Sequence, residues 1–221
     1  MLTIRKGITF IELLIGLALG SFVMAAILGL YVHLAGTSRS LVTQSVMQYE
    51  LDSVLGTMTR DIRRAGYWQF GDPASAPHNP FVDTGTDLHT GRYDPSTPAD
   101  SCLTYAYDLN RDGQFSHGNN ELFGFRLRDD AIEIRTGGSG VGCATGSWQR
   151  ITPASVLIRQ LTFSIERQWL EPSVAGGACP DAACQSVRRV HIVIAASPAD
   201  HPGATMNLST TVLVRNNRID T

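Results

Sequence analysis

From Ile8 to Leu34 almost every position is apolar or small, and Glu12 and His33 are the only acidic or basic side chains. No face is polar, and about 20 apolar residues are enough for a helix to cross a bilayer core. The pattern then changes. Met47, Leu51, Val54, Leu55, Met58 and Ile62 recur at spacings of three, four and seven, which is one face of an amphipathic helix. Arg60, Arg63 and Arg64 fall in or beside its last turn, where cations suit the negative end of the helix dipole. Gly66 is a natural residue just past the end, and no proline interrupts the chain before Gly71. The pattern predicts one helix from about Ile8 to about Ala65, roughly 85 Å long at 1.5 Å per residue. Its first half is apolar all round and its second half has one apolar face.

Between Asp72 and Asp100, Pro73, Pro77, Pro80, Pro95 and Pro98 stand among Asp, Thr, Ser and Gly, which predicts a long irregular surface loop. After Asp100 the period falls to two. Cys102 to Tyr107 reads as a strand, and Leu122–Arg128 with Ala131–Arg135 reads as a hairpin about Asp129-Asp130. Further strands are predicted over Val156–Leu170, Val187–Ala195 and Met206–Val214, with Met206, Leu208, Val212 and Val214 on one face. The link Pro198–Ala204 predicts an antiparallel turn between the last two. One-sided strands need a cover, and the distal half of the helix can supply it. The fold class expected is α+β, a long N-terminal α-helix packed on an antiparallel β-sheet.

Composition adds limits. A chain of 221 residues with 43% apolar residues has material for one core, and a net charge of -2 gives no electrostatic footprint for nucleic acid. Cys102, Cys143, Cys179 and Cys184 form no C-x-x-C pair and no zinc spacing. In an oxidising compartment Cys179 and Cys184, separated by Pro-Asp-Ala-Ala, would close a small disulfide, leaving Cys102 to pair with Cys143 by elimination; buried free thiols are the alternative. The six histidines form no H-E-x-x-H and no Ser/His/Asp order. Gly137 to Gly140 is not a nucleophile elbow, and no phosphate-binding loop of the Walker type is present. Glu166 and Glu171 have no evident catalytic partner, and Arg188-Arg189 reads as a surface pair. No catalytic residue, cofactor site or enzyme activity is expected. Asp108-Leu-Asn110-Arg-Asp112-Gly113 begins like a calcium loop, but Asn119 holds the twelfth position and Glu121 comes two residues late. A strand also precedes it. It reads either as a looser calcium loop at Asp108, Asn110 and Asp112 or as a plain turn rich in turn-forming residues.

Glu12 remains. An ionised carboxylate in hydrocarbon costs about 2–3 kcal/mol or more on insertion scales. Arg5 and Lys6 precede the apolar run, which keeps the first residues cytoplasmic and exports the rest. An ordinary signal peptide would have a shorter apolar region and a small-x-small cleavage site, and a simple anchor would not need Glu12. The order basic leader, Gly7, Ile8, Thr9, Phe10, Ile11, Glu12 resembles the class III signal of type IV prepilins and pseudopilins. The resemblance implies cleavage by a prepilin peptidase between Gly7 and Ile8 and N-methylation of Ile8, which stands where that family usually has Phe. It also implies that Glu12 pairs with the new terminal amine of a neighbouring subunit and so sets filament register. The plainer alternative is a protonated or snorkelling carboxyl near the membrane surface. Gly16 and Gly20 form a G-x-x-x-G pair, with Ser21 and Gly29 nearby, a pattern of close helix approach as well as of apolar helices in general.

Two more stretches carry a narrower resemblance. Asp52 to Trp68 is similar to the helix end of PilW-type minor pilins, a pattern shared by the J-type minor pseudopilins of type II secretion. Tyr105 to Gly113, followed by Asn120 to Leu127, resembles the start of the PilW sheet, and Val212 to Asn216 adds the chain's end. The resemblance implies a type IV pilin-like fold divided as leader 1–7, filament-core helix 8–34, amphipathic helix 35–66 and periplasmic domain 67–221. It implies a minor pilin in initiation or assembly of a type IV pilus, serving adhesion, twitching motility or DNA uptake. Its partners would be other minor pilins, the major pilin, prepilin peptidase, the assembly machinery and the inner membrane, with no direct nucleic-acid contact. Its location would be the inner membrane, N-terminus cytoplasmic and C-terminal domain periplasmic, and then the filament. The alternatives are a J-type pseudopilin and a membrane-anchored periplasmic binding domain.

Overall fold

The computed structural model describes residues 7–69, 79–170, 184–216 and 218–220. The chain divides into two compact units, Met1–Val46 and Met47–Thr221. One helix, α1, runs Phe10–Ile62. In the first unit every side chain from Phe10 to Leu34 is exposed, and this stretch is long and apolar enough to cross a membrane. A helix that is apolar on all faces and covered by nothing in its own unit is built for a non-aqueous surrounding.

In the second unit the helical period is realised as predicted. Met47, Leu51, Val54, Met58 and Ile62 are all buried in one core with residues from both sheets. The helix stops slightly before the predicted Ala65. The amides of Arg64 and Ala65 bond to carbonyls three residues back, which tightens the last turn. Gly66 then takes φ +73°, and a Cβ there would lie 2.8 Å from Val82 and 2.9 Å from Arg188, so only glycine fits.

The first sheet contains β1 (His89–Gly91), β2 (Cys102–Ala106), β3 (Leu122–Arg128), β4 (Ala131–Gly137) and β5 (Ser147–Arg150), in that spatial order and antiparallel throughout. The second contains β6 (Val156–Leu170), β7 (Cys184–Pro198) and β8 (Met206–Leu213) in order, with β9 (Arg218–Asp220) also paired to β7. The fold is α+β, as expected, but with two sheets rather than one. Alternation fixes which side chains turn inward and leaves open which strands share a ladder. The sheets meet where Ile158 donates its amide to the Asp130 carbonyl at 2.8 Å and Phe163 to that of Asp100 at 2.8 Å. The expected irregular segment before Asp100 also contains β1 and a 3-10 turn over Pro80–Val82.

The β3–β4 hairpin forms as predicted. Arg128 pairs with Ala131, and Asp129 and Asp130 both have positive φ, the requirement of a tight two-residue hairpin turn. In β6 the inward set passes from Val156 and Ile158 to Leu161 and Phe163 across a bulge at Ile158/Gln160. In β7 the inward set is Ser186, Arg188, Val190, Ile192 and Ile194. This corrects the reading of Arg188-Arg189 as a surface pair: a strand turns neighbours to opposite faces, and Arg188 is 0% exposed. Arg188 pairs with Asp87, which also meets Arg167 at 3.1 Å, and donates to the Asn216 carbonyl.

Candidate functional site

The N-terminal segment places Gly7 and Ile8 just before α1, both exposed. Thr9 caps the helix: its carbonyl accepts from Leu13 at 3.2 Å. The Thr9 amide and hydroxyl donate to Glu12 Oε2 at 2.9 and 2.8 Å, and the Glu12 amide reaches back to Thr9 Oγ1 at 3.4 Å. This is a reciprocal capping box, and the spacing Thr9-x-x-Glu12 is its sequence signature. Glu12 therefore has a local role, and one carboxylate oxygen, Oε2, serves it. A Cβ at Gly7, Gly16, Gly20 or Gly29 would meet nothing within 4 Å, so the chain's own packing does not require glycine at any of them.

The C-terminal end of α1 is joined to β2 and to the end of the chain. Asp61 accepts from the Tyr105 hydroxyl at 2.6 Å and from that of Tyr107 at 3.1 Å. Burial pushes both phenols well above the usual tyrosine range, and the Asp61 charge pushes the same way, so both remain donors. The Arg64 guanidinium lies 4.1 Å from the Tyr107 ring centroid, and Tyr107 stacks on Phe123 at 3.7 Å. The Gly66 amide donates to the Ala106 carbonyl at 2.8 Å, and the Asp108 amide to that of Tyr67 at 2.9 Å. The helix's last carbonyls find partners far along the chain: Arg215 donates to Arg63, and Asn216 Nδ2 to Arg64 and Ala65. The stretches Asp52–Trp68, Tyr105–Gly113 and Val212–Asn216 thus meet at one joint.

The loop closing the β2–β3 hairpin carries the carboxylates. The last pair of the ladder is Ala106 with Leu122, and the Tyr107 amide continues it to the Glu121 carbonyl at 3.3 Å. Asp108 and Glu121 are thereby brought together. Carboxylate oxygens of Asp108, Asp112 and Glu121 lie within 4.8 Å of one another. Asp108 and Glu121 are 1% and 0% exposed. Burial pushes the Glu121 carboxyl up, as do the charges of Asp112 and Asp108, against hydrogen bonds that favour its ionised form. Asn110 turns to Asp112 instead, donating from Nδ2 to Asp112 Oδ2 at 2.7 Å. Glu121, too late for the twelfth position of a standard loop, is therefore the third carboxylate of the group.

Cys102 and Cys143 form a disulfide. Its position follows from β3: Arg126 is the register partner of Cys102, and its Nη1 donates to the Cys143 carbonyl at 2.7 Å. Arg126 also pairs with Glu133 at 2.7 Å, which fixes the guanidinium. The expected Cys179–Cys184 bridge lies outside the described residues, apart from the backbone of Cys184 at the start of β7.

A family model described as PpdB, prepilin peptidase-dependent protein B, matches residues 40–214. The chain belongs to that family. No match was found among curated proteins or solved structures. The PpdB match begins well after Glu12, so the Gly7-to-Glu12 signal plays no part in it. Two separate parts of the chain thus point to a type IV prepilin-related protein. The PpdB region holds the α1–β2 contacts of the joint, the Cys102–Cys143 bridge and the three carboxylates, while the candidate membrane anchor, Phe10–Leu34, precedes it.

Proposed function

We propose that this PpdB-family protein is a minor pilin of the PilW type. It would be held in the inner membrane by the Phe10–Leu34 helix, with its C-terminal domain in the periplasm. Prepilin peptidase would cut after Gly7 and methylate Ile8, and the protein would then enter the complex that initiates a type IV pilus. The observation that carries this reading is the conjunction of a PpdB match over residues 40–214 with a separate leader signal at Gly7–Glu12 that heads an exposed apolar helix. The Ile8 amine of one subunit would neutralise Glu12 of its neighbour, and Gly16 and Gly20 would allow close helix approach in the filament. The proposed role is structural: no bond is made or broken by this chain, and its partners are other minor pilins, the major pilin and the assembly machinery.

A second reading, a J-type minor pseudopilin of type II secretion, fits the Asp52–Trp68 helix-end pattern equally, because the two groups share it. Deletion of the gene, scored for both surface pili and secretion, separates them. Loss of pili with secretion intact is the result expected. Loss of secretion with normal piliation assigns the chain to the pseudopilus, and normal pili with normal secretion contradicts both filament roles.

A further inference from the structure

The β2–β3 loop contains more carboxylate than its hydrogen bonds use. Asp108 commits Oδ2 to the backbone amides of Gln69 and Gly113, each at 3.1 Å. Glu121 commits Oε2 to the Ser116 amide at 3.0 Å, and the Leu109 amide also favours its charged form. The other oxygens, Asp108 Oδ1 and Glu121 Oε1, are buried and have no hydrogen-bond partner among the described residues. A buried carboxylate oxygen with no donor has lost its water and gained nothing in return. Two such oxygens occur on residues whose carboxylates lie within 4.8 Å of one another and of Asp112. Asp112 is exposed, so the group is open to solvent on that side. Simple turn formation accounts for Asn110 and Asp112, which bond to each other and to neighbouring amides. It gives no reason to bury Glu121 beside Asp108.

We propose that this loop is a calcium site, with carboxylate oxygens of Asp108, Asp112 and Glu121 as ligands and water completing the shell on the Asp112 side. The donor set is all hard oxygen, which suits calcium or magnesium and not zinc or copper. Ligands on opposite sides of one calcium ion stand about 4.6–5.2 Å apart, against roughly 4.0–4.2 Å across magnesium. Carboxylate oxygens within 4.8 Å of one another can all reach one calcium ion, whose flexible shell tolerates an irregular loop better than the strict octahedron of magnesium. The ion would supply the charge that the two buried oxygens lack. It would also tie the β2–β3 loop to the end of α1, because Asp108 bonds to the Gln69 amide and Trp68 Nε1 to the Gly113 carbonyl at 2.9 Å.

The test uses the full chain in detergent, stripped with chelator and titrated with calcium chloride by calorimetry and by thermal unfolding. Terbium luminescence sensitised through Trp68 reports on the same loop. One saturable calcium site is expected, with Kd on the order of 10⁻⁴ to 10⁻³ M, as for extracellular modules, a raised Tm, and weaker binding of magnesium. Glu121→Gln should weaken calcium binding tenfold or more. Asp112→Asn, at an exposed position, should weaken it severalfold and serves where the buried variant does not fold. Absence of a calcium-dependent heat or Tm shift at about ten times the upper Kd would overturn the proposal. So would wild-type affinity in Asp112→Asn or in a folded Glu121→Gln protein.

Discussion

Glu12 has one role that the structure shows, the capping box with Thr9, and one that we propose, in the assembled filament. Its box with Thr9 satisfies amides at the start of α1, and removing such a cap costs about 1 kcal/mol. Capping alone does not demand a full charge in an apolar helix. The two roles separate by substitution. Glu12→Gln keeps an acceptor and removes the charge, while Thr9→Ala removes the capping hydroxyl and keeps the charge. Both proteins should be cleaved after Gly7; filament incorporation, read by immunoblot of sheared pili, should fall in Glu12→Gln and persist in Thr9→Ala. The reverse order would show that the acid is there for the cap. Arg188 and Arg189 make a second contrast between adjacent residues of one type. Arg188→Met would leave the nine-tenths-buried Asp87 without its buried partner and should cost about 3–5 kcal/mol in urea unfolding, although Arg167 remains nearby. Arg189→Met, on the other face, should stay within about 0.5 kcal/mol. Equal effects would contradict the assigned alternation. Charge alone could not separate the two arginines in the sequence; the apolar positions Val190, Ile192 and Ile194 in the same phase as Arg188 carried that information.

The elements were legible in proportion to their length and regularity. The amphipathic turns from Met47 to Ile62 and the Asp129-Asp130 hairpin each follow from period and turn chemistry local to that element. The three- and four-residue strands β1, β5 and β9 are too short to show a period of two, and they formed because a neighbouring strand offered its edge. The division into two sheets depends on long-range pairing, which local alternation does not encode. The contacts of Asn216 with the end of α1 span about 150 residues of chain, and no window of sequence contains them. Among the candidate site residues, Cys102 and Cys143 were paired by elimination, and the structure supplies the physical route through Arg126. Their separation of 41 residues gives the bridge about 4 kcal/mol in the chain-entropy account. The Cys102→Ser/Cys143→Ser protein should therefore unfold at clearly lower urea concentration, by about that free energy. An unchanged midpoint would mean that strand pairing and the Arg126–Glu133 pair hold this region without the bridge.

At the scale of the whole molecule, the two units differ in where their apolar side chains lie. Phe10–Leu34 has an apolar surface on every side, and Met47–Thr221 has a core shared by one helix face and two sheets. A sequence reader sees the first unit almost completely, because an unbroken apolar run needs no tertiary information. The second unit is where the PpdB match falls, and there the sequence showed the class of fold more clearly than its strand pairing. The central claim joins the units: the apolar helix belongs to a processed prepilin and is more than a membrane anchor. The most direct measurement is the intact mass and N-terminal peptide sequence of the protein purified from membranes of cells that contain prepilin peptidase. The account predicts a chain that begins at Ile8 and carries one N-methyl group. A mature protein that still begins at Met1, or one cut at another bond, would contradict it.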